Sequence, residues 1–341
     1  MELPETLQQY RPTVEEALQQ VLHAAMTPEL PLYRMMQYQL GLVDRSGTPE
    51  PQIEPTRLYG ALCLEAAHSV EAAERAAPAA AAAAAELFYE SVRVHEDMQL
   101  GAPQRGKRDS VWFIWGPAQA INVGDGLHAM ARLAILNLEV GGLAPEQTLS
   151  AIRAMDDAAL RFYEGQYMEL TFQERIDVME TQYLKAAEMR QGALVGGALA
   201  VGATVAGANA LIVDGLGQFG VRLGLAAQVH EDLAAVWDTS GETGVPPKLL
   251  NKSKLFPVVH ALEKASLVQK RALGDVYFKR VMEPQDVERI RQVLDEVGAR
   301  EYGQTKARTL ATEALSFLAP LNLPPASLAR WEAITNFMIG D

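Results

Sequence analysis

Apolar side chains recur every three or four residues along most of the chain, which is the spacing of one face of an α-helix. Near the start, Val14, Leu18, Val21 and Leu22 follow this spacing. Almost no segment alternates apolar and polar residues as a half-buried strand does. The pattern therefore predicts an all-α protein.

The predicted helices follow one another without a clear internal boundary. A long helix begins at Pro78, runs through seven alanines and reaches Glu96 and Asp97. Further helices are expected over about 117–140, 145–169, 172–213, 216–237, 256–272, 284–298 and 304–318. Residues 1–341 are predicted to form one domain.

Composition narrows the functional classes. The formal charge of -13, from 43 acids and 30 bases, argues against nucleic acid as a partner, because a phosphate backbone favours a basic surface. The single cysteine, Cys63, cannot form an internal disulfide, and the first residues lack a signal-peptide pattern, so a cytoplasmic location is expected. The uncharged stretch 192–213 is rich in glycine and alanine and is interpreted as a buried helix pair, not a membrane span.

Two other motifs are rejected on context. Gly215, Gly217 and Gly220 fit a dinucleotide-binding pattern, but that pattern needs a parallel sheet around it. Glu65 and His68 have the spacing of a di-iron carboxylate bundle, yet no second Glu-x-x-His pair accompanies them.

The tetrapeptide Val-His-Glu-Asp occurs twice, ending at Asp97 and at Asp232. Each copy lies toward the end of a predicted helix and is followed by a basic loop; the bases are Arg105, Lys107 and Arg108 after the first copy and Lys248, Lys252 and Lys254 after the second. Mg²⁺ is usually bound through one or two carboxylates together with phosphate oxygens and water. Solvated acids at helix ends are the simpler explanation, but the repeated context favours two carboxylate pairs that bind Mg²⁺ and a diphosphate.

The same residues resemble the polyprenyl synthetase family. Residues 92–135, with "VHEDMQLGAPQRGKRDS" and later Gly124-Asp125, resemble its first aspartate-rich region, and "GLAAQVHEDLAAVWD" is similar to the second. Gly165-Gln166-x-x-Glu169 looks like the family's Gly-Gln-x-x-Asp, and Arg190 stands where a diphosphate-binding lysine is usual. The resemblance implies the all-α isoprenoid synthase fold, a helical barrel around a deep apolar cavity.

The resemblance also implies roles for single residues. Mg²⁺ is the expected cofactor, and an allylic prenyl diphosphate is the expected substrate. The candidate residues are the catalytic and metal-binding acids Glu96, Asp97, Glu231 and Asp232, with Glu169 as a further ligand; the diphosphate-binding bases Arg57, Arg105, Arg190 and Lys252; and the cavity residues Phe88, Ser91, Val92, Gln166 and Gln228.

The departures from the family pattern shape the functional hypotheses. Leu100 replaces the last acid of the first motif, and Thr56, Tyr59 and Gly60 replace residues of the family's Gly-Lys-Arg-x-Arg-Pro, of which Arg57 remains. The missing bases hold isopentenyl diphosphate, the second substrate, in the family. The main hypothesis is therefore a terpene synthase that ionises an allylic diphosphate of about 15–20 carbons and cyclises the cation.

Two alternatives stay open. One is a prenyltransferase that still elongates or uses an altered acceptor, and the other is a non-catalytic subunit or prenyl-binding relative. A homodimer is expected from the resemblance alone.

Overall fold

The computed structural model of the protein describes residues 3–25, 30–50, 55–70, 77–106, 108–237 and 247–341. These residues are almost entirely helical, which confirms the all-α prediction. The strands among them pair as one antiparallel hairpin of Gln104–Arg105 (β1) and Arg108–Asp109 (β2), and an isolated bridge joins Val43 to Pro49.

The helices of the described residues are numbered in chain order. They are α1 Glu5–Gln8, α2 Arg11–Ala25, α3 Pro31–Gln39, α4 Leu58–His68, α5 Ala77–Gln99, α6 Val111–Trp115, α7 Pro117–Leu136, α8 Pro145–Phe172 and α9 Glu180–Ala187. A π-helical turn, Glu188–Gly192, follows α9. The remaining helices are α10 Ala193–Val205, α11 Ala210–Trp237, α12 Pro247–Leu250, α13 Phe256–Lys264, α14 Leu267–Tyr277, α15 Pro284–Glu296, α16 Ala299–Ser316 and α17 Pro325–Ile339, with a 3₁₀ turn at Ala319–Leu321.

Two predicted helices are interrupted. The segment predicted as helix over 172–213 leaves helical geometry after Phe172 and resumes at Glu180. The segment 256–272 breaks because Ala265 and Ser266 have extended backbone, and the Ser266 side chain caps the next helix by accepting from Gln269 N. Such side-chain caps end one helix and start another without a glycine or proline signal.

The chain groups into two compact units. The first is Met1–Asp157, Gly197–Gly217 and Leu321–Arg330, and the second is Ala158–Gly196, Gln218–Pro320 and Trp331–Asp341. The single domain over residues 1–341 stays a prediction.

Helix α5 forms the centre of the first unit and packs against α2, α4 and α7. Its alanines explain the close packing: Ala81, Ala82 and Ala83 are fully buried, and their small side chains let the neighbouring helices approach α5 closely. A Cβ at Gly60 would lie 2.7 Å from Val14 Cγ1 and 3.1 Å from Ala82 O. Glycine at position 60 is therefore required by packing.

The uncharged segment 192–213 is buried over most of its first part, residues 192–206, but residues 207–213 are partly or fully exposed, with Leu211 60% exposed. Val195, Leu199 and Ala203 are inaccessible, and a Cβ on Gly202 would overlap the carbonyl oxygen of Cys63. By length and composition alone, α11 is the one described helix that could span a membrane. It carries the second acidic motif.

In the second unit, α13 lies among α9, α14, α15 and α16. One apolar cluster of this unit includes Tyr183, Val229 and Phe256, and a second includes Val236 and Leu273. The first cluster surrounds the second acidic motif.

Candidate active site

The first acidic motif ends in an ion pair between the buried Asp97 and the exposed Arg105. Asp97 is almost inaccessible, and its Oδ1 accepts hydrogen bonds from Arg105 Nε at 2.9 Å and Nη2 at 2.6 Å. Burial raises the pKa of Asp97, and the Arg105 guanidinium opposes that rise. Two hydrogen bonds from a permanent cation favour the ionised form of this carboxylate.

The basic loop places Arg105 by a tight hairpin. β1 and β2 are joined through Gly106, whose φ of 61° is the left-handed conformation that glycine adopts readily. Arg108 contacts other residues: its Nη2 donates to Val43 O at 3.0 Å, and its guanidinium lies 4.1 Å from the Tyr38 ring centroid. Lys107 lies outside the described residues. Of the two bases of this loop that the structure describes, Arg105 and Arg108, only Arg105 contacts the motif.

The two residues before Asp97 have different environments. Glu96 is partly exposed, whereas His95 packs on α7, where a Cβ at Gly124 would overlap its imidazole ring. Gly124 thus leaves room for the His95 ring, and the Oδ1 of the next residue, Asp125, lies 3.6 Å from His95 Nε2.

Further buried charges lie along α5 before the motif. Glu90 accepts from Gln39 Nε2 at 2.7 Å and Arg93 Nη1 at 2.8 Å, while Glu86 accepts from the Gly60 amide at 3.0 Å. Burial raises the pKa of Glu86 to about 7. The acid at position 86 is therefore partly protonated near neutral pH.

The structure gives Arg57 a packing role. It is fully buried, donates to Glu15 from Nε at 2.8 Å and from Nη2 at 3.2 Å, and donates from Nη2 to Leu40 O at 2.7 Å. Nε and Nη2 of Arg57 are thus held by acceptors of the protein, while its Nη1 is buried without a partner among the described residues, and its diphosphate-binding role stays a prediction.

The three predicted cavity residues of α5 are buried in the first unit. Ser91 Oγ donates to Phe88 O at 2.6 Å, and the Phe88 ring lies 5.3 Å from the ring of His128. Val92 is equally inaccessible. Their role in limiting the prenyl chain stays a prediction.

The second acidic motif divides into an exposed and a buried acid. Glu231 is exposed, whereas Asp232 accepts three hydrogen bonds: from Tyr183 Oη at 2.6 Å, from Gln228 Nε2 at 2.8 Å and from Phe256 N at 2.9 Å. Burial, and then the charge of Asp232, raise the pKa of Tyr183 well above its usual value, so the phenol remains a donor. Asp232 thus ties α9, α11 and the start of α13 together.

A narrow pocket opens beside this carboxylate within the second unit. Its lining is Glu169, Phe172, Tyr183, Ala186, Ala187, Arg190, Gln228, Asp232, Lys254 and Leu255. Four residues that the sequence analysis selected, Glu169, Arg190, Gln228 and Asp232, therefore meet at one place. Gln166 is buried on the same helix as Glu169 but does not line this pocket.

Lys254 takes the place that was predicted for Lys252. Lys254 Nζ donates to Gln173 O at 2.9 Å and lies 4.3 Å from the Tyr277 ring centroid, and burial lowers its pKa to about 8. Lys252 has a left-handed backbone, φ 61°, and its ammonium donates to Lys279 O. The pocket-lining base is therefore two residues further along the chain.

Close helix packing brings Arg190 to Glu169. A Cβ on Gly165 would lie 2.7 Å from Arg190 Cγ and 2.8 Å from Ala186 O, so a larger residue would push the two segments apart. Arg190 lies in the π-helical turn and forms an ion pair with Glu169. Single π-helical turns occur often at functional sites because they redirect one side chain.

The donor atoms suit Mg²⁺ only in part. In the described ranges, no group of three or more His, Cys, Asp or Glu side chains is arranged to hold a metal ion. Carboxylate oxygens are nevertheless the ligands that Mg²⁺ prefers, and it takes its other ligands from water and phosphate. The residues fit an ion that binds together with a diphosphate, not one held by the protein alone.

Two pocket residues were missed or misplaced by sequence reasoning. Tyr183 carries no local motif, and its contact with Asp232 joins residues 49 positions apart. Lys254 was among the bases considered, and it lines the pocket, whereas Lys252 does not; the diphosphate-binding role of Lys252 stays a prediction.

Comparison with known proteins shows the family of the chain. A family model described as polyprenyl synthetase matches residues 55–297. The (2E,6E)-farnesyl diphosphate synthase of Mycobacterium tuberculosis is 26% identical over 310 residues, covering 89% of this chain and 85% of that protein. The geranylgeranyl diphosphate synthase of the same organism is 31% identical over 238 residues, covering 69% and 67%.

Solved structures match over nearly the whole chain. A polyprenyl synthetase from Streptomyces coelicolor has a TM-score of 0.87 and 27% identity, with 98% of each chain covered. A geranylgeranyl pyrophosphate synthetase from Pyrococcus horikoshii has a TM-score of 0.82 at 21% identity, covering 98% and 97%, which supports the fold alone. These proteins bear the names of prenyl-chain synthases, so the comparisons favour the prenyltransferase alternative and do not support the terpene-cyclase hypothesis.

Proposed function

The chain belongs to the polyprenyl synthetase family, with its all-α isoprenoid synthase fold, and on that premise we propose that it is a Mg²⁺-dependent prenyltransferase. It would join the prenyl group of an allylic prenyl diphosphate to isopentenyl diphosphate, breaking the allylic C–O bond, and release a longer prenyl diphosphate, inorganic diphosphate and a proton. The observation that supports this most is the meeting of Glu169, Arg190, Asp232 and Lys254 at one pocket.

Arg190 and Lys254 are the proposed ligands of the allylic diphosphate. Both line the pocket, and Lys254 is buried, so water screens its charge weakly and its attraction for an anion is strong. Glu169 holds Arg190 in place through their ion pair. The two cations would stabilise negative charge that develops on the departing diphosphate.

In the first unit, Glu96 and Asp97 are proposed as carboxylate contacts of Mg²⁺; in the second unit, Glu231 is proposed as such a contact. Mg²⁺, when bound, would neutralise the diphosphate and so favour its departure from the allylic carbon. Asp232 has three hydrogen-bond donors already, so we assign it mainly the positioning of Tyr183 and Gln228 around the pocket. Arg105 orients Asp97 in the first unit.

The second substrate is expected to bind weakly. Thr56 and Tyr59 stand where the family resemblance places bases, and Arg57 already donates to Glu15 and to Leu40 O. Loss of charge-assisted bonds to a diphosphate lowers its affinity. We therefore propose elongation with a high KM for isopentenyl diphosphate.

Product analysis tests the proposal directly. The purified chain is incubated with Mg²⁺ and geranyl, farnesyl or geranylgeranyl diphosphate, with and without isopentenyl diphosphate. A longer diphosphate that forms only when both substrates are present supports the proposal. Hydrocarbon or alcohol from the allylic substrate alone would identify a cyclase, and the absence of any product would identify a non-catalytic relative.

A cytoplasmic homodimer is proposed as the working form. Helix α7 exposes Ile121, Leu133 and Leu136, which is an apolar surface of the kind that a second subunit covers. Light scattering after size-exclusion chromatography measures the mass, and a monomer at micromolar concentration would contradict the dimer.

A further inference from the structure

An apolar and basic surface lies on the second unit, away from the pocket residues in sequence. It is formed by α14 and the loop that follows it, and we call Leu267, Val268, Arg271, Phe278, Arg280 and Val281 the α14 surface. Its apolar members are strongly exposed: Leu267 is 87% exposed, Val268 79%, Phe278 71% and Val281 71%. Single exposed apolar residues are ordinary, but four within 15 positions form a patch.

Helix geometry places three of these side chains on one face. At about 100° per residue, Leu267, Arg271 and Phe278 fall within about 40° of one another. The opposite face of α14 is buried through Leu273 and Val276. Packing of the helix onto its own unit therefore does not account for the exposed face.

The charge of this segment is opposite to that of the chain. Residues 264–281 contain five bases, Lys264, Lys270, Arg271, Lys279 and Arg280, and one acid, Asp275, a net charge of +4 in a chain of -13. Lys279 is neutralised by Asp286 at 2.7 Å. Arg271 and Arg280 are exposed and have no ion-pair partner within the described part of the chain.

We propose that the α14 surface binds the surface of an anionic lipid bilayer. An amphipathic segment with aliphatic and aromatic residues beside bases is the pattern of a helix that lies in the membrane interface. Each base near an anionic membrane raises the partition coefficient about fivefold, and the attraction falls with salt. A nucleic acid or an acidic protein would attract the bases, but neither would explain why the apolar side chains of Leu267 and Phe278 are exposed.

The proposal concerns peripheral binding and does not depend on the catalytic assignment. Binding through the α14 surface would keep the protein at the lipid bilayer, into which prenyl chains partition. No part of α14 needs to cross the bilayer.

Vesicle flotation with the full chain tests the proposal. We expect the wild type to float with vesicles that contain phosphatidylglycerol and to do so weakly with phosphatidylcholine alone. Leu267→Ser with Phe278→Ser should lower the partition coefficient at least about tenfold. Arg271→Gln with Arg280→Gln should lower it about 25-fold, and only on the anionic vesicles.

A matched control exists elsewhere in the chain. Leu149, 63% exposed, and Arg153 stand four residues apart on α8, as Leu267 and Arg271 do on α14. Leu149→Ser with Arg153→Gln should leave flotation unchanged, and thermal unfolding checks that each variant is folded. The proposal is overturned if the wild type fails to float, or if α14 variants float as the control does. It is also overturned if these variants change the oligomeric state, because the surface would then bind a second copy.

Discussion

Replacing Asp232 by alanine removes the acceptor of three buried hydrogen bonds. Tyr183 Oη, Gln228 Nε2 and Phe256 N, at 2.6, 2.8 and 2.9 Å, would lose their partner together. A buried donor left unsatisfied costs about 1–3 kcal/mol, and shared relaxation makes three of them less than additive. We expect the free energy of unfolding to fall by about 3–5 kcal/mol.

Neighbouring variants separate this structural role from metal binding. Glu231→Ala, at the adjacent exposed position, should change the free energy of unfolding by less than about 0.5 kcal/mol. It should nevertheless raise the Mg²⁺ concentration needed for half-maximal turnover, since it removes a proposed metal contact. Asp232→Asn keeps one acceptor oxygen and should lie between the other two variants in stability.

Urea unfolding followed by circular dichroism measures these differences through the midpoint at constant slope. The reasoning is refuted if Asp232→Ala and Glu231→Ala unfold at the same urea concentration. In that case the three hydrogen bonds would contribute nothing measurable to the folded state.

Three further predictions concern Lys254, Glu86 and Gly165. The pKa of Lys254 is lowered from 10.5 to about 8, so the free energy of unfolding should rise between about pH 8 and 10.5, because the folded lysine loses its proton first. Over the same interval the affinity for the allylic diphosphate should fall, which is measured as a rise in KM. Lys254→Met should bind the diphosphate weakly at every pH and show no such rise in KM. The pKa of Glu86 is raised from 4.5 to about 7, so stability should decline over that interval as the unfolded state ionises first, and Glu86→Gln should abolish the decline in melting temperatures. Gly165→Ala should lower the free energy of unfolding by about 1–3 kcal/mol through overlap with Ala186 O, whereas Gly274→Ala, with only Phe278 within 4 Å, should raise it by up to about 1 kcal/mol; equal unfolding midpoints for both would count against the packing argument.

Local patterns predicted the parts of the site that follow one another in sequence. The two acidic tetrads, the Gly165-Gln166-x-x-Glu169 motif and Arg190 could be selected because each depends on spacing along a helix. Four of the selected residues line the same pocket. The helical class followed from the same periodicity.

Contacts between distant segments could not be predicted in this way. Arg57 meets Glu15 across 42 positions, and Phe256 N meets Asp232 across 24. The choice between Lys252 and Lys254 depends on a left-handed residue in a loop, which no periodic pattern reveals. The break at Ser266 depends on a side-chain cap that also occurs inside longer helical patterns.

Transfer of label from isopentenyl diphosphate tests the central claim most directly. Purified chain, Mg²⁺, an allylic prenyl diphosphate and radiolabelled isopentenyl diphosphate are incubated over a range of isopentenyl concentrations, and the extracted prenyl diphosphates are separated by length. The account predicts label in a longer prenyl diphosphate, with a KM for isopentenyl diphosphate well above that for the allylic substrate. Label that stays in isopentenyl diphosphate at every concentration, while the allylic substrate is consumed, would contradict it.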